Sequence, residues 1–209
     1  MSAPIIRIAI FAIAIGMVIM MIAISTGLGL QQKIREKLSG FNGHTQITNF
    51  DNNNSEITLS PISKNQDFYP EFTNISNIDN VQVFATKGGI IRTPTDFEGI
   101  IFKGVGADYN WSFFKEYLVE GEIPNYKDEV SNDVLISKEI SNRLNINLGD
   151  SFNILFVKDP PTKAPWLRVV KAVCIYNYGF HEFDENFVIA YIRHIQKMNK
   201  WSEDEEVGL

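Results

Sequence analysis

The stretch IAIFAIAIGMVIMMIAISTGLGL, residues 8–30, contains no charged side chain. As a helix, a run of this length extends about 35 Å, enough to cross a hydrocarbon core with some tilt. A cleavable signal peptide has a shorter apolar core, roughly 7–15 residues, so an uncleaved transmembrane helix is expected over residues 1–30. The next residues, QQKIREKLSGF (31–41), are charged, yet Leu30, Ile34, Leu38 and Phe41 recur at helical spacing. Neither proline nor glycine interrupts residues 31–39. The helix is therefore expected to continue as a juxtamembrane stalk over 31–41, with Gly40 as its C-cap. Small residues stand four apart at Ala12 and Gly16 and again at Ala23 and Gly27. Such spacing lets a second membrane helix approach closely, which makes these four the candidate helix-packing positions.

The chain has 209 residues, 44% of them hydrophobic, and a formal net charge of -6. That leaves room for one anchor and one soluble domain, residues 42–209. The acidic balance argues against a nucleic-acid partner, which calls for a basic face. Cys174, the single cysteine, sits in the apolar run VVKAVCIY and is expected to be buried as a small hydrophobe.

Beyond the stalk the pattern is mixed. GHTQITNF (43–50) alternates and predicts a first strand. DNNNSE (51–56) is an Asx-rich loop. A helix is expected from about Tyr69. Residues 81–105 predict two or three strands, broken at Gly88–Gly89 and at TPTD (93–96). DYNWSFFKEYL (108–118) suggests a short aromatic helix or turn. NDVLIS (132–137) predicts a buried strand, with Ser137 capping a helix over KEISNRLNI. SFNILFV, LRVVKAVCIYN and NFVIAYI predict three further strands, and RHIQKMNKW a last helix. Strands and helices without strict alternation give an α+β class: one N-terminal membrane helix, a stalk, then a mixed domain.

Motifs for catalysis are sparse. There is no phosphate-binding Gly-x-x-x-x-Gly-Lys-Ser/Thr loop, and no Ser–His–Asp set can be assigned by a local motif. HEFDE (181–185) offers His181, Asp184 and Glu185 but no second paired cluster, so it is taken as a surface loop rather than a metal site. The expectation is a chain with no catalytic, cofactor-binding or metal-binding residues. The loop from Lys158 to Trp166 differs in kind. Pro160, Pro161 and Pro165 stiffen it and Trp166 stands at its exit, so it can meet a partner at low ordering cost. These four are the candidate partner-binding residues.

Taken in order, these segments resemble a known family. SAPIIRIAIFAIAIGMVIMMIAISTGLGLQQKIREKLSGFNGH is similar to the first membrane helix, stalk and Gly-Phe-x-Gly-His junction of ABC-transporter permeases of the FtsX-like superfamily. FEGIIFKGVGADY, YLVEGEIP and NDVLISKEISNRLNINLGDSFNI resemble segments of their MacB-like periplasmic core domain. So does LRVVKAVCIYNYGFHEFDENFVIAYI, and the lipoprotein-releasing (LolC/LolE) type is the nearest in pattern. The resemblance implies a permease subunit in a bacterial inner membrane, with its soluble domain in the periplasm, against the local count of Arg7 versus Lys33, Arg35 and Lys37. It implies a separate cytoplasmic ATPase, a second permease subunit, membrane lipid and a periplasmic lipoprotein carrier as partners, and no cofactor. ATP-driven motion would pass up the helix to release lipoproteins. Such permeases have four membrane helices where one is seen here, so the chain is expected to be truncated. A permease for macrolide or peptide export shares the same domain, and a membrane-anchored periplasmic sensor is a third reading.

Overall fold

The computed structural model describes residues 3–50, 60–70, 78, 80–126, 131–158, 164–202 and 205–206. The chain divides into two units, Met1–Thr45 and Gln46–Leu209.

In the first unit, helix α1 spans Ala3–Asn42 without interruption. It is long and apolar enough to cross a membrane, with a mean hydropathy of 2.8 over an 18-residue window. Past Leu30 the apolar face gives way to local polar pairs that suit a solvated helix. Gln32 Nε2 donates to Glu36 Oε1 at 2.9 Å and Lys33 Nζ to Glu36 Oε2 at 3.2 Å. Such i,i+3 and i,i+4 contacts support a helix locally. The helix stops at Gly43, whose φ of 81° is left-handed. Its N–H donates to the Ser39 carbonyl at 2.7 Å, closing the last turn. Gly40, expected as the cap, lies inside the helix instead. A glycine ends a helix only where the chain goes left-handed, and an interior glycine costs only about 1 kcal/mol.

The second unit is a mixed sheet that closes on itself. Its strands are β2 (Phe84–Arg92), β3 (Phe97–Val105), β4 (Leu118–Gly121), β5 (Asp133–Ser137), β6 (Ser151–Phe156), β7 (Trp166–Tyr176) and β8 (Phe187–Tyr191). They are ordered β4-β7-β5-β8-β3-β2-β6, and β6 also pairs with β7. The first half of β7 runs antiparallel to β6, and its second half runs parallel to β5. A two-stranded ladder, β1 (Ile62–Ser63) with β9 (Glu205–Glu206), lies apart from that sheet. Among the described residues the unit also has three short α-helices: α2 (Lys138–Leu144), α3 (His181–Asn186) and α4 (Arg193–Asn199). The α+β class expected from the sequence is the one found.

The core forms where the inward residues of these strands meet α4. Ile91, Phe102, Ile154, Phe156, Val188, Ile189 and Ile195 are essentially inaccessible. Phe102 meets Phe156 edge to face with ring centroids 5.2 Å apart. A second aromatic cluster joins the 3-10 turn Phe114–Tyr117 to the end of β7, with Phe114 4.9 Å from Tyr176 and Tyr117 4.6 Å from Tyr178. Pairs of this kind add about 0.5–1.5 kcal/mol beyond the area they bury.

Several elements depart from the sequence expectation. Residues 43–50 form no strand: Thr48 makes only an isolated bridge, and alternation alone does not make a sheet. Residues 67–70 form a turn and a bend, and most of the helix expected from Tyr69 lies outside the described residues, as does the loop 51–56. Gly88 and Gly89 do not break the chain but sit within β2. A Cβ at Gly89 would stand 3.0 Å from Ile154 Cγ2 and Phe156 Cε1, so the glycine serves close packing of β2 against the core. Residues 181–185, expected as a surface loop, form α3.

Gly104 tests that packing. A Cβ there would lie 2.8 Å from the Ile192 Cα and 3.1 Å from Ile195 Cδ1, whereas a Cβ at Gly99 meets nothing within 4 Å. Gly104→Ala is expected to destabilise the domain by about 1–3 kcal/mol in urea denaturation, and Gly99→Ala to change it by less than about 0.5 kcal/mol.

Candidate functional site

Two regions of the second unit gather side chains with chemical or recognition potential. The first is polar and lies where α2 meets α3. Ser137 Oγ accepts the Ile140 N–H at 3.0 Å, capping α2 as its position before KEISNRL suggested. The same hydroxyl donates to the Asp184 carbonyl, which ties α2 to α3. Asp184 itself is buried, and its carboxylate accepts the N–H groups of Tyr178, Gly179 and Phe180 at 3.0, 2.7 and 3.2 Å. Burial pushes this carboxyl above its ordinary range, and the three N–H donors pull against that rise.

Around this anchor lies a shallow depression of about 530 Å³ lined by Lys138, Glu139, Asn142, Arg143, Asn177 and Asp184. Arg143 Nε reaches Glu98 Oε2 at 3.5 Å, its Nη1 lies 4.0 Å from Glu185 Oε1, and its Nη2 donates to the Glu185 carbonyl at 2.8 Å. His181 Nε2 is 3.1 Å from Glu185 Oε1 across one turn of α3. Glu139 comes in from α2, and ligand atoms of Glu139, His181 and Glu185 all lie within 4.8 Å of one another. These three could share a cation, although the Arg143 guanidinium already neutralises part of the same carboxylate. Asp184, which the sequence groups with His181 and Glu185, points instead at backbone donors. Glu139 lies more than forty residues upstream, and only the α2–α3 contact brings it in.

The other titratable groups in the core do not converge. Cys174 is fully buried, as expected, and burial pushes its thiol up to about 12, opposite to the shift a nucleophile needs. His194 is buried beneath Phe102, with its Nε2 2.7 Å from the Ser131 carbonyl. Burial lowers its pKa. Lys103, 4% exposed, lies in β3 near the Phe84 ring.

The second region is the hairpin of β6 and β7 with the segment that joins them. Pro160 and Pro161 lie outside the described residues. Pro165 is exposed, and Trp166 opens β7 half-buried. Lys158 Nζ sits 5.3 Å from the Trp166 ring centroid and Arg168 Cζ 5.9 Å away, so the indole is flanked by two cations. On α1 the residues Gly16 and Gly27 face open space: an added Cβ at either meets nothing within 4 Å. An eleven-residue interval between the Ala12/Gly16 and Ala23/Gly27 pairs returns to nearly the same helix azimuth, so the four share one stripe.

No family model matches the chain, and no curated protein does. Among solved structures, the extracellular domain of the noncanonic ABC-type transporter YknZ from Gram-positive bacteria is similar over 65% of this chain and 65% of that one. The TM-score is 0.44 and the sequence identity 13%. The chain thus spans a little under two thirds of that structure, and a likeness at this level assigns no activity.

Lys103 supplies a test of the buried charge. Burial lowers its pKa from 10.5 to about 7. Above pH 7 the unfolded chain keeps this proton while the folded chain loses it, so stability rises with pH. The clean window is about pH 7–8, below the range in which the unfolded chain's thiol, and at higher pH its phenols, ionise and reverse the slope. Denaturation midpoints should rise across that window, and Lys103→Met should flatten the rise.

Proposed function

We propose that this chain is a non-enzymatic component of an ABC-transporter permease, in which movement of a membrane helix is passed to an extracytoplasmic domain. The observation that carries this reading is α1, one unbroken helix from the apolar run through the charged stretch to Asn42. A helix of 40 residues is about 60 Å long, twice the thickness of a hydrocarbon core. A hinge would absorb displacement. Here the solvated part is held by Gln32–Glu36–Lys33 contacts and a closed C-terminal turn, so displacement at one end is felt at the other.

The finer reading is release of lipoproteins from a bacterial inner membrane to a soluble carrier, with the Lys158–Trp166 loop as the carrier contact. It rests on the motif order of the sequence, above all on NDVLISKEISNRLNINLGDSFNI. That segment forms the β5–α2–β6 unit around the polar anchor of Ser137 and Asp184. A cytoplasmic ATPase supplies the energy in this reading, and the chain itself makes and breaks no bond.

Two experiments bear on it. Asn147 is exposed and Cys174 is buried, so Asn147→Cys gives one addressable thiol. A membrane-impermeant maleimide should label it in intact cells; labelling only after lysis would put the domain in the cytoplasm and end the proposal. Ile34→Pro should break α1 beyond the bilayer, since proline in a helix interior costs about 3 kcal/mol. In the complex purified with its ATPase, that variant is expected to keep ATPase binding and lose at least roughly tenfold in ATP-driven lipoprotein release. Full release by the variant would remove the rod from the mechanism.

A further inference from the structure

The contact between α2 and α3 gathers three metal-binding side chains from separate stretches of the chain. His181 and Glu185 stand four apart on α3, and helical spacing puts them on one side of it. Glu139 comes from α2. One donor atom from each, an imidazole nitrogen and two carboxylate oxygens, lies within 4.8 Å of the others. His181 Nε2 and Glu185 Oε1 are 3.1 Å apart. Donors bound to a first-row divalent ion at about 2.0–2.2 Å sit roughly 3–3.5 Å from one another, so this pair already has the spacing of two ligands. Glu139 is exposed, and a change of its side-chain rotamer brings its carboxylate the remaining distance.

The frame beneath these donors is fixed. Ser137 Oγ donates to the Asp184 carbonyl and Arg143 Nη2 to the Glu185 carbonyl at 2.8 Å, so two bonds tie α2 to α3. Asn186 Nδ2 donates to the Glu182 carbonyl at 3.0 Å and steadies α3. Arg143 is the competing cation, but its hold on the Glu185 carboxylate is slack. Its Nη1 is 4.0 Å from Glu185 Oε1, beyond hydrogen-bond reach, and its Nε leans toward Glu98 Oε2 at 3.5 Å. Glu98, Glu139, Asp184 and Glu185 therefore stand against only Lys138 and Arg143 around this depression. The excess is felt at Asp184: burial raises its carboxyl, and the charge of Glu139 adds to that rise. A divalent cation would remove the excess. The depression of about 530 Å³ opens beside Glu139 and has room for water to complete a coordination shell.

We infer that Glu139, His181 and Glu185 form a site for a first-row divalent cation, zinc in particular, which clamps α2 to α3. The donor set selects the metal. Calcium and magnesium take shells of six or more oxygens, whereas an imidazole nitrogen suits zinc. Zinc also accepts three protein ligands with water in the fourth position. The inference stands on this geometry alone and holds whether or not the chain serves transport.

The test uses the full chain in detergent, freed of metal by a chelator and titrated with Zn²⁺ alone. Calorimetry is expected to show binding, and the thermal midpoint to rise with zinc concentration, as it does for any ligand held by the folded state alone. Ca²⁺ and Mg²⁺ at the same concentration should leave the midpoint where it was. His181→Ala and Glu139→Gln should each weaken zinc binding at least roughly tenfold. Glu120→Gln, which alters an exposed carboxylate on β4, should leave it unchanged. Co²⁺ bound in place of zinc gives visible absorption bands that report its ligands, and His181→Ala should abolish them. His181 and Glu139 are exposed, and matching midpoints of the metal-free variants show that the fold is kept. No binding by the parent chain, or undiminished binding by His181→Ala, would overturn the inference. So would loss in His181→Ala but not in Glu139→Gln, which leaves the ion on α3 without a clamp. An equal response to Ca²⁺ and Mg²⁺ would mean a diffuse acidic surface and overturn it as well.

Discussion

Strand β7 shares its hydrogen bonds between two neighbours, and the second unit depends on that sharing. Residues 166–171 pair with β6 and residues 171–176 with β5, so the ends of the strand series β5-β8-β3-β2-β6 are joined through one strand. The changeover needs a register shift: Val134 faces Ala172 while Leu135 faces Cys174, leaving Val173 as the extra residue. An extra residue bends and twists a strand, which lets β7 leave one partner and take up the other. The donors and acceptors freed at the bend are met. Ala172 exchanges bonds with Gly149 and Asp150, and the Val173 carbonyl accepts from Glu122. Gly121, with φ 84° and a would-be Cβ 2.1 Å from the Val173 oxygen, is the residue that lets β4 approach this bend.

Closure has consequences for recognition. Once β2, β3 and β6 are paired along both edges, they offer neighbours only their faces. The two regions with recognition potential differ accordingly. The α2–α3 depression is polar and partly neutralised from within: Arg143 bridges Glu98 and Glu185, and the Asp184 carboxylate is spent on backbone donors. Exposed pairs of this kind contribute little stability, about 0–1 kcal/mol, and their geometry favours fixing two helices against each other. The β6–β7 hairpin instead presents the half-buried Trp166 ring between the Lys158 and Arg168 cations.

Helix α1 and the closed sheet together give a physical basis for the proposed role. Over the apolar run the helix is held by its own backbone bonds, and its C-terminal turn closes at Gly43. The sheet is held by bonds that span the whole unit, so it moves as a body. The raised Cys174 and lowered Lys103 pKa values report burial, not activation.

The long apolar run, its charged helical continuation, the Ser137 cap, the hairpin turn at residues 93–96 and the α+β class were all legible in the sequence. Each rests on interactions between residues close along the chain, or on a periodicity that a single element must satisfy. What stayed hidden depends on partners far apart in sequence. Alternation in GHTQITNF promised a strand, but among the described residues only Thr48 of this stretch makes a bridge. Gly88–Gly89 looked like a break until Ile154 and Phe156 were found against it. His181–Glu185 looked like a loop because the backbone donors that hold the Asp184 carboxylate leave no pattern in residue type. The runs SFNILFV and LRVVKAVCIYN read as strands without showing which side faces the core. Only the closed tertiary sheet shows one side sealed by the core and the other left bare, because sidedness is set by the register between strands and not by the composition of any one of them.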